Sequence, residues 1–343
     1  MQQNNLQNSG SKKTYFQNLD ASRFFAFLPV FFTHVFYAHN NDVLSTQTFA
    51  FVDEHLKVGI LGLDYFFVLS SFLITWIILE EYDQSTQFNF KNYFIRRSLR
   101  IWPLYFTIVL VGFAAAAYFT TEALPPIHHF LLFVLNFYII QNGDAFLFFL
   151  VILWSVSVEE QFYLLWALFL KYFKQYLVPF CFFLIAFSLL FRAFNLDDQK
   201  RLYFHTASTL SNFAVGALVA HFSFYKTKVF LFLKDLPKIQ LFAIYFLLFL
   251  NIIFYKSIYC TPLLQTFERL IFSVFFAFII FEQSFCSASF FHLGKNKWTT
   301  YLGNCSFGLY CFHGVVITLF IKFSTYFQWN FSSFQLFVIN PIL

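Results

Sequence analysis

Long apolar runs separated by short polar loops recur along the whole chain. They read FFAFLPVFF (24–32), VGILGLDYFFVLSSFLITWIIL (58–79), PLYFTIVLVGFAAAAYF (103–119), AFLFFLVILW (145–154), IQLFAIYFLLFLNIIFY (239–255) and LIFSVFFAFIIF (270–281). Crossing the hydrocarbon core of a bilayer takes about 20 mostly apolar residues as helix, because lipid offers no partner to an exposed peptide group. The pattern predicts an all-α polytopic membrane protein, a bundle of about ten transmembrane helices. The expected spans lie near 18–38, 58–79, 101–120, 127–141, 147–170, 177–194, 204–224, 236–256, 266–283 and 301–323. The fourth is the shortest and starts with His128 and His129. Residues 1–17 are polar and rich in Gln and Asn, as expected of a flexible cytoplasmic tail. Residues 18–323 then form the membrane domain, and 324–343 a short C-terminal tail with Trp329 as an interfacial anchor.

Composition agrees with the pattern. Of the 343 residues 59% are hydrophobic and only 11% charged, and Phe alone supplies 60. A soluble domain would carry about a quarter charged side chains. Apolar segments continue to the C-terminus, which argues against a secreted protein with a cleaved signal. The five cysteines show neither a CxxC motif nor His/Cys ligand spacing, so no metal is expected. A net charge of +5 does not suggest nucleic acid as a partner. Lys12, Lys13, Lys91, Arg96, Arg97 and Arg100 against Lys57 place the N-terminus inside. With ten spans, however, the loop holding Lys226, Lys228, Lys234 and Lys238 falls outside and breaks the rule. Either a segment is miscounted or that loop binds something anionic.

Ionisable residues within the apolar segments carry the chemistry, because each must be paired, hydrated or neutral. In LDASRFFAFLPVFFTHVFY, Arg23 and His34 are eleven residues apart, which returns them to almost one helical face about 16 Å apart along the axis. Two readings stand: residues reaching the two interfaces, or a polar stripe facing the bundle interior. In NYFIRRSLRIWPLY (92–105), Arg96, Arg97 and Arg100 precede the third run; they suit topology anchoring or a phosphate. In WSVSVEEQFY (154–163), Ser157 and Glu160 fit a capping box, but a start there leaves too short a helix and leaves Glu159 unexplained. A continuous helix over 147–170 instead puts both carboxylates in or near the membrane. Gly59 and Gly62 suggest close helix packing around Asp64, Ser70 and Ser71. In YLGNCSFGLYCFHGVV (301–316), Asn304, Ser306, Tyr310 and His313 interrupt a late span, with Tyr310 and His313 nearly on one face.

In order along the chain, these segments resemble the family of membrane acyltransferases that O-acylate surface polysaccharides and other hydroxyl acceptors (acyltransferase type 3). LDASRFFAFLPVFFTH is similar to its opening signature, GLDYFFVLSSFLI to its second-span motif, IRRSLRIWPLYF to its basic third-span entry, WSVSVEEQFYLLW to its most recognisable motif and YLGNCSFGLYCFH to its final-span motif. The family usually has glycine where Ala21 and Ser71 stand, a difference expected to touch packing more than chemistry. Many relatives carry an additional extracytoplasmic hydrolase-like domain; none is expected within these residues.

The resemblance implies an integral inner-membrane enzyme with an acyl-CoA donor, usually acetyl-CoA, on the cytoplasmic side. The acceptor would be a hydroxyl of a cell-envelope glycan or lipid-linked sugar, with membrane lipids around the bundle. His34 would be the general base. Arg23 would position the donor or stabilise charge on the thioester oxygen, and Glu159 and Glu160 would orient Arg23 or His34. Arg96, Arg97 and Arg100 would hold the donor phosphates, and His313, with Tyr310, is the alternative base or a structural partner. A transporter or flippase using the same buried charges is the competing class. It predicts translocation without a new covalent product.

Overall fold

In a computed structural model, residues 14–37, 59–119 and 123–327 are described, and all their regular structure is helical. The helices are α1 (Gln17–Tyr37), α2 (Gly59–Ser85), α3 (Phe90–Phe119), α4 (His128–Leu131), α5 (Leu135–Asn142), α6 (Phe148–Val151), α7 (Trp154–Phe173) and α8 (Leu177–Ala193). They continue as α9 (Gln199–Phe204), α10 (Thr206–Phe224), α11 (Lys228–Lys234), α12 (Lys238–Ile253), α13 (Tyr255–Ile258), α14 (Pro262–Phe285), α15 (Lys297–Asn304) and α16 (Ser306–Tyr326). The expected tails and Trp329 lie largely outside the described residues.

Among the described residues five stretches are long and apolar enough to cross a membrane, or six if the pair α11–α12, bent by 94°, counts as one. One of the five, Phe148–Ala193, folds back on itself. Phe169 of α7 and Phe180 of α8 have ring centroids 4.0 Å apart, which eleven residues of straight helix, about 16 Å, do not allow.

α2 is apolar all round and buried on nearly every face, so it forms the centre of the bundle. Its neighbours approach closely because small residues face their backbones. A side chain at Gly62 would meet the Ala26 carbonyl, which bears out the packing reading of that glycine. Ala21 and Ser71, the two departures from glycine, are fully buried, and the Ser71 hydroxyl donates to the Phe213 carbonyl at 2.5 Å.

The stretch expected to be the fourth span does not form one. α4 has 4 residues and α5 has 8. Eight residues rise about 12 Å, well short of the roughly 30 Å hydrocarbon core. Phe133 between them takes a positive φ of 53°, which breaks the helix. The polar side chains there are answered from inside the bundle: Asn136 donates to the Phe204 carbonyl and to Thr206, and Gln161 donates to the Phe133 carbonyl.

That correction moves the later loops. Phe16 packs against Trp76 (5.1 Å) and Phe285 (5.7 Å), Trp76 against Phe224 (5.2 Å), and Phe230 against Phe285 (5.5 Å). The ends of α2, α10 and α14 and the start of α11 therefore lie beside the start of α1. Lys226, Lys228, Lys234 and Lys238 join Lys91, Arg96, Arg97 and Arg100 at this one end of the bundle. Lys171 and Lys174 join them too, the former through its carbonyl on Tyr82 and the latter over the Tyr82 ring at 4.0 Å. The apparent breach of the charge rule came from counting 127–141 as a crossing.

Candidate active site

α3 presents one ridge to the bundle, running through Tyr93, Arg97, Ile101 and Tyr105 at i, i+4 spacing. Tyr93, Ile101 and Tyr105 are buried, and this fixes the rotation of the helix. Arg97 is carried inward by that ridge. Its guanidinium lies over the Tyr163 ring, 3.2 Å from the centroid. Arg96 turns outward instead, 58% exposed, and reaches Glu81 at 3.7 Å. The expected arginine triad is therefore split: Arg97 turns inward, Arg100 stays exposed on the same side, and Arg96 does not share their site.

α7 carries the two carboxylates, and neither caps a helix. Ser157 lies inside α7, its hydroxyl turned back to the Leu153 carbonyl at 3.4 Å, so the capping box does not form. The Glu159 carboxylate accepts from Tyr163 at 2.5 Å and from Ser70 at 3.2 Å. The hydroxyls of Tyr163 and Ser70 lie 2.9 Å apart, both turned to this carboxylate. Glu160 accepts from the Trp102 indole at 3.0 Å, while its other oxygen is buried without a protein partner. Instead of either glutamate, Arg23 pairs with Asp20, one turn earlier on α1. The expected orientation of Arg23 or His34 by Glu159 or Glu160 is thus replaced by Asp20 and His313 in those places.

These groups surround a cavity of about 410 Å³ at the basic end, within the range of about 300–1,000 Å³ usual for small-molecule sites. Its polar wall holds Asp20, Arg23, Arg97, Arg100, Ser70 and Glu159. The exposed Arg100 stands at the mouth. Asn304, Ser306 and Tyr310, the polar residues of the late span, line it as well. α15 is held close to α1 here: a side chain at Gly303 would collide with the Asp20 carbonyl.

Tyr310 closes the far side. Its hydroxyl donates to the Ile152 carbonyl at 2.7 Å and shares a hydrogen bond of 2.7 Å with Ser155. The Ile152 carbonyl is available because the helix expected over 147–170 breaks between α6 and α7. Beyond Tyr310, toward the opposite end, His34 Nδ1 and His313 Nε2 meet at 2.8 Å. His313 Nδ1 lies 2.5 Å from the Tyr310 carbonyl. Arg23 and His34 thus occupy different compartments on α1.

Sequence reasoning missed Asp20, Trp102, Ser155 and Tyr163, and read Ser70 only as part of a packing region. The i, i+3 pair Asp20–Arg23 and the i, i+4 pair Glu159–Tyr163 were legible as helical neighbours. The contacts of Trp102 and Ser70 carry no local signal. Among the described residues no three His, Cys, Asp or Glu side chains converge to hold a metal.

A helical membrane protein whose buried arginines and carboxylates open onto a small-molecule cavity has the build of an integral-membrane enzyme. The acyltransferase domain family matches residues 16–342, and the chain belongs to that family. The O-acetyltransferase OatA of Staphylococcus aureus is 30% identical over 184 residues, covering 49% of this chain and 30% of that protein. The peptidoglycan O-acetyltransferase OatA of Listeria monocytogenes is 34% identical over 130 residues, 35% of this chain and 21% of that protein. The matched stretch spans less than a third of either relative. No solved structure matches the chain.

Proposed function

We propose that this protein moves an acyl group, acetyl in the first instance, from acyl-CoA to a hydroxyl of a cell-envelope glycan or lipid-linked sugar. One observation carries the reading: the arginine-lined cavity and the histidine pair stand on opposite sides of Tyr310. Arg100 at the mouth and Arg97 and Arg23 within it offer planar, paired donors to the phosphates of the donor. The basic end is cytoplasmic by the charge rule, with α1 leading outward and His34 toward the extracytoplasmic side. The bundle then crosses nine times, through α1, α2, α3, α7, α8, α10, α12, α14 and α16, with α4 and α5 entering and leaving on one side.

His34 is the base. It takes the proton of the acceptor hydroxyl as the oxygen attacks the thioester carbonyl. The carbon–sulfur bond breaks, and the departing thiolate receives the proton. Arg23 sits about 16 Å from His34 along α1 and cannot touch the same reacting atoms. Its place is on the donor side, held by Asp20.

The test is transfer of labelled acetyl from acetyl-CoA to cell-envelope fractions by the purified protein. Label in a glycan, lost by about 100-fold or more in His34→Ala, is the expected result. Substrate translocation with no labelled product would favour a transporter. A reporter fused after residue 235 should read cytoplasmic, as should one at residue 12; opposite readings refute the nine-crossing orientation.

A further inference from the structure

We propose that His313 is a positioning residue that fixes the tautomer of His34 and shares the proton His34 takes up; this rests on the reading of His34 as base. The Tyr310 carbonyl can only accept. His313 Nδ1, 2.5 Å away, must therefore carry a proton. A neutral imidazole has one N–H, so His313 Nε2 bears a lone pair. His34 Nδ1, 2.8 Å from that nitrogen, must then be the donor. Its single proton is used, and His34 Nε2 is left with the lone pair a base needs.

The geometry suits proton sharing. The two ring planes lie within 10° of each other with centroids 5.0 Å apart. That separation exceeds the N–N distance by about the two ring radii, so the rings meet edge to edge with the hydrogen bond in their common plane. Phe27 and Phe31 pack against His313, and Phe148 packs edge-on against His34. An apolar shell of this kind strengthens the hydrogen bonds within it. The end of the chain is held as well, because Tyr310 is tied to Ile152 and Ser155.

When an acceptor hydroxyl loses its proton to His34 Nε2, the O–H bond breaks and an N–H bond forms. The Nδ1 proton of His34 can then pass to His313 Nε2. His34 becomes neutral again, and His313 holds the positive charge with one N–H on the Tyr310 carbonyl. The charge moves one ring away from the reacting centre and returns when the thiolate takes the proton from His34 Nε2.

Protein labelled with ¹⁵N-histidine, in detergent micelles, reports each tautomer through two-bond ¹H–¹⁵N correlations, with His34 and His313 assigned by loss of signal in single variants. The relay requires His34 and His313 both to carry their proton on Nδ1. A wild-type His34 protonated on Nε2 overturns it, whatever the enzyme's activity. In His313→Phe, His34 should revert to the Nε2–H form that free neutral histidine prefers. Turnover should then fall by about 10- to 100-fold with the donor KM unchanged. An unshifted His34 tautomer in that variant also overturns the proposal. Should His313→Phe not fold, His313→Gln serves: its amide oxygen accepts from Nδ1 but takes no proton. It should keep the His34 tautomer while losing turnover, and full activity in this variant rules out proton sharing. Loss of activity in His34→Ala tests the base itself, so the two ideas fail separately.

Discussion

Two buried polar clusters flank α2 and are finished differently. On one side Asp64 accepts from Asn212 at 2.6 Å and faces Arg269 at 3.8 Å. Arg192 donates to the carbonyls of Thr266 and Gln265 and to Ser208, and pairs with Glu268 at 3.4 Å. Tyr255 closes the set on Glu268 at 2.6 Å. Two acids balance two arginines, and none of these residues lines the cavity. On the other side Arg97, Glu159, Glu160 and Tyr163 form a cluster in which Arg97 and Glu159 are only half-buried. Each cluster leaves an arginine nitrogen without a protein partner, Nη1 of Arg269 in the first and Nε of Arg97 in the second. Glu159, Arg97 and Tyr163 face the cavity. Burial of charge therefore does not mark a site in this protein. Contact with the cavity does.

Arg269→Met leaves the Asp64 charge buried with one partner fewer, which should cost about 3–5 kcal/mol. Thermal unfolding in detergent measures this, and Asp64→Asn added to Arg269→Met should restore much of the loss. A single variant with unchanged stability would show that the closed cluster does not hold the bundle.

Gly303→Ala comes next. A methyl group there pushes α15 from the first turns of α1, for an expected loss of about 1–3 kcal/mol. Because Asp20 and Arg23 sit on those turns, the donor KM should rise with it. A stability loss at constant KM would separate packing from the site.

Arg97→Lys and Arg100→Lys sharpen the functional half. Each keeps its charge and loses the planar fork, so the donor KM should rise by about tenfold, equivalent to about 1.4 kcal/mol, with little change in thermal stability. Wild-type donor affinity in both would remove the phosphate-holding role.

Arg96→Ala should do least. Exposed and facing Glu81, it should stay within about 0.5 kcal/mol of wild type and keep donor affinity. A large KM effect there would return Arg96 to the site and contradict the split of the arginine cluster.

Most helix positions were legible because hydropathy acts over one helix at a time. The expected spans at 58–79, 177–194, 204–224 and 236–256 fall on α2, α8, α10 and α12 within a few residues. The expected helices at 147–170 and 301–323 are each broken in two, and 127–141, apolar enough to read as a span, forms none, because Asn136 is answered from other helices and the Phe133 backbone turns. Hydropathy alone does not distinguish an apolar stretch that crosses from one that enters the bundle and leaves.

The site shows the same division. The chain pattern alone established that Arg23, His34, Glu159, Glu160, Tyr310 and His313 sit in apolar segments, where each must find a partner, and that Arg97 and Arg100 stand at the entry to one. Helical spacing also allows pairs such as Asp20 with Arg23, a neighbour the sequence reading passed over. Only the tertiary structure decided that His34 meets His313, 279 residues away, that Glu160 meets Trp102 rather than Arg23, and that Arg97 rather than Arg96 turns inward. The physical reason is rotational. A helix of known sequence can present any face to its neighbours. The face it presents is fixed by packing on Tyr93, Ile101 and Tyr105 and by glycines that admit a neighbouring backbone, contacts that exist only once the whole bundle is assembled.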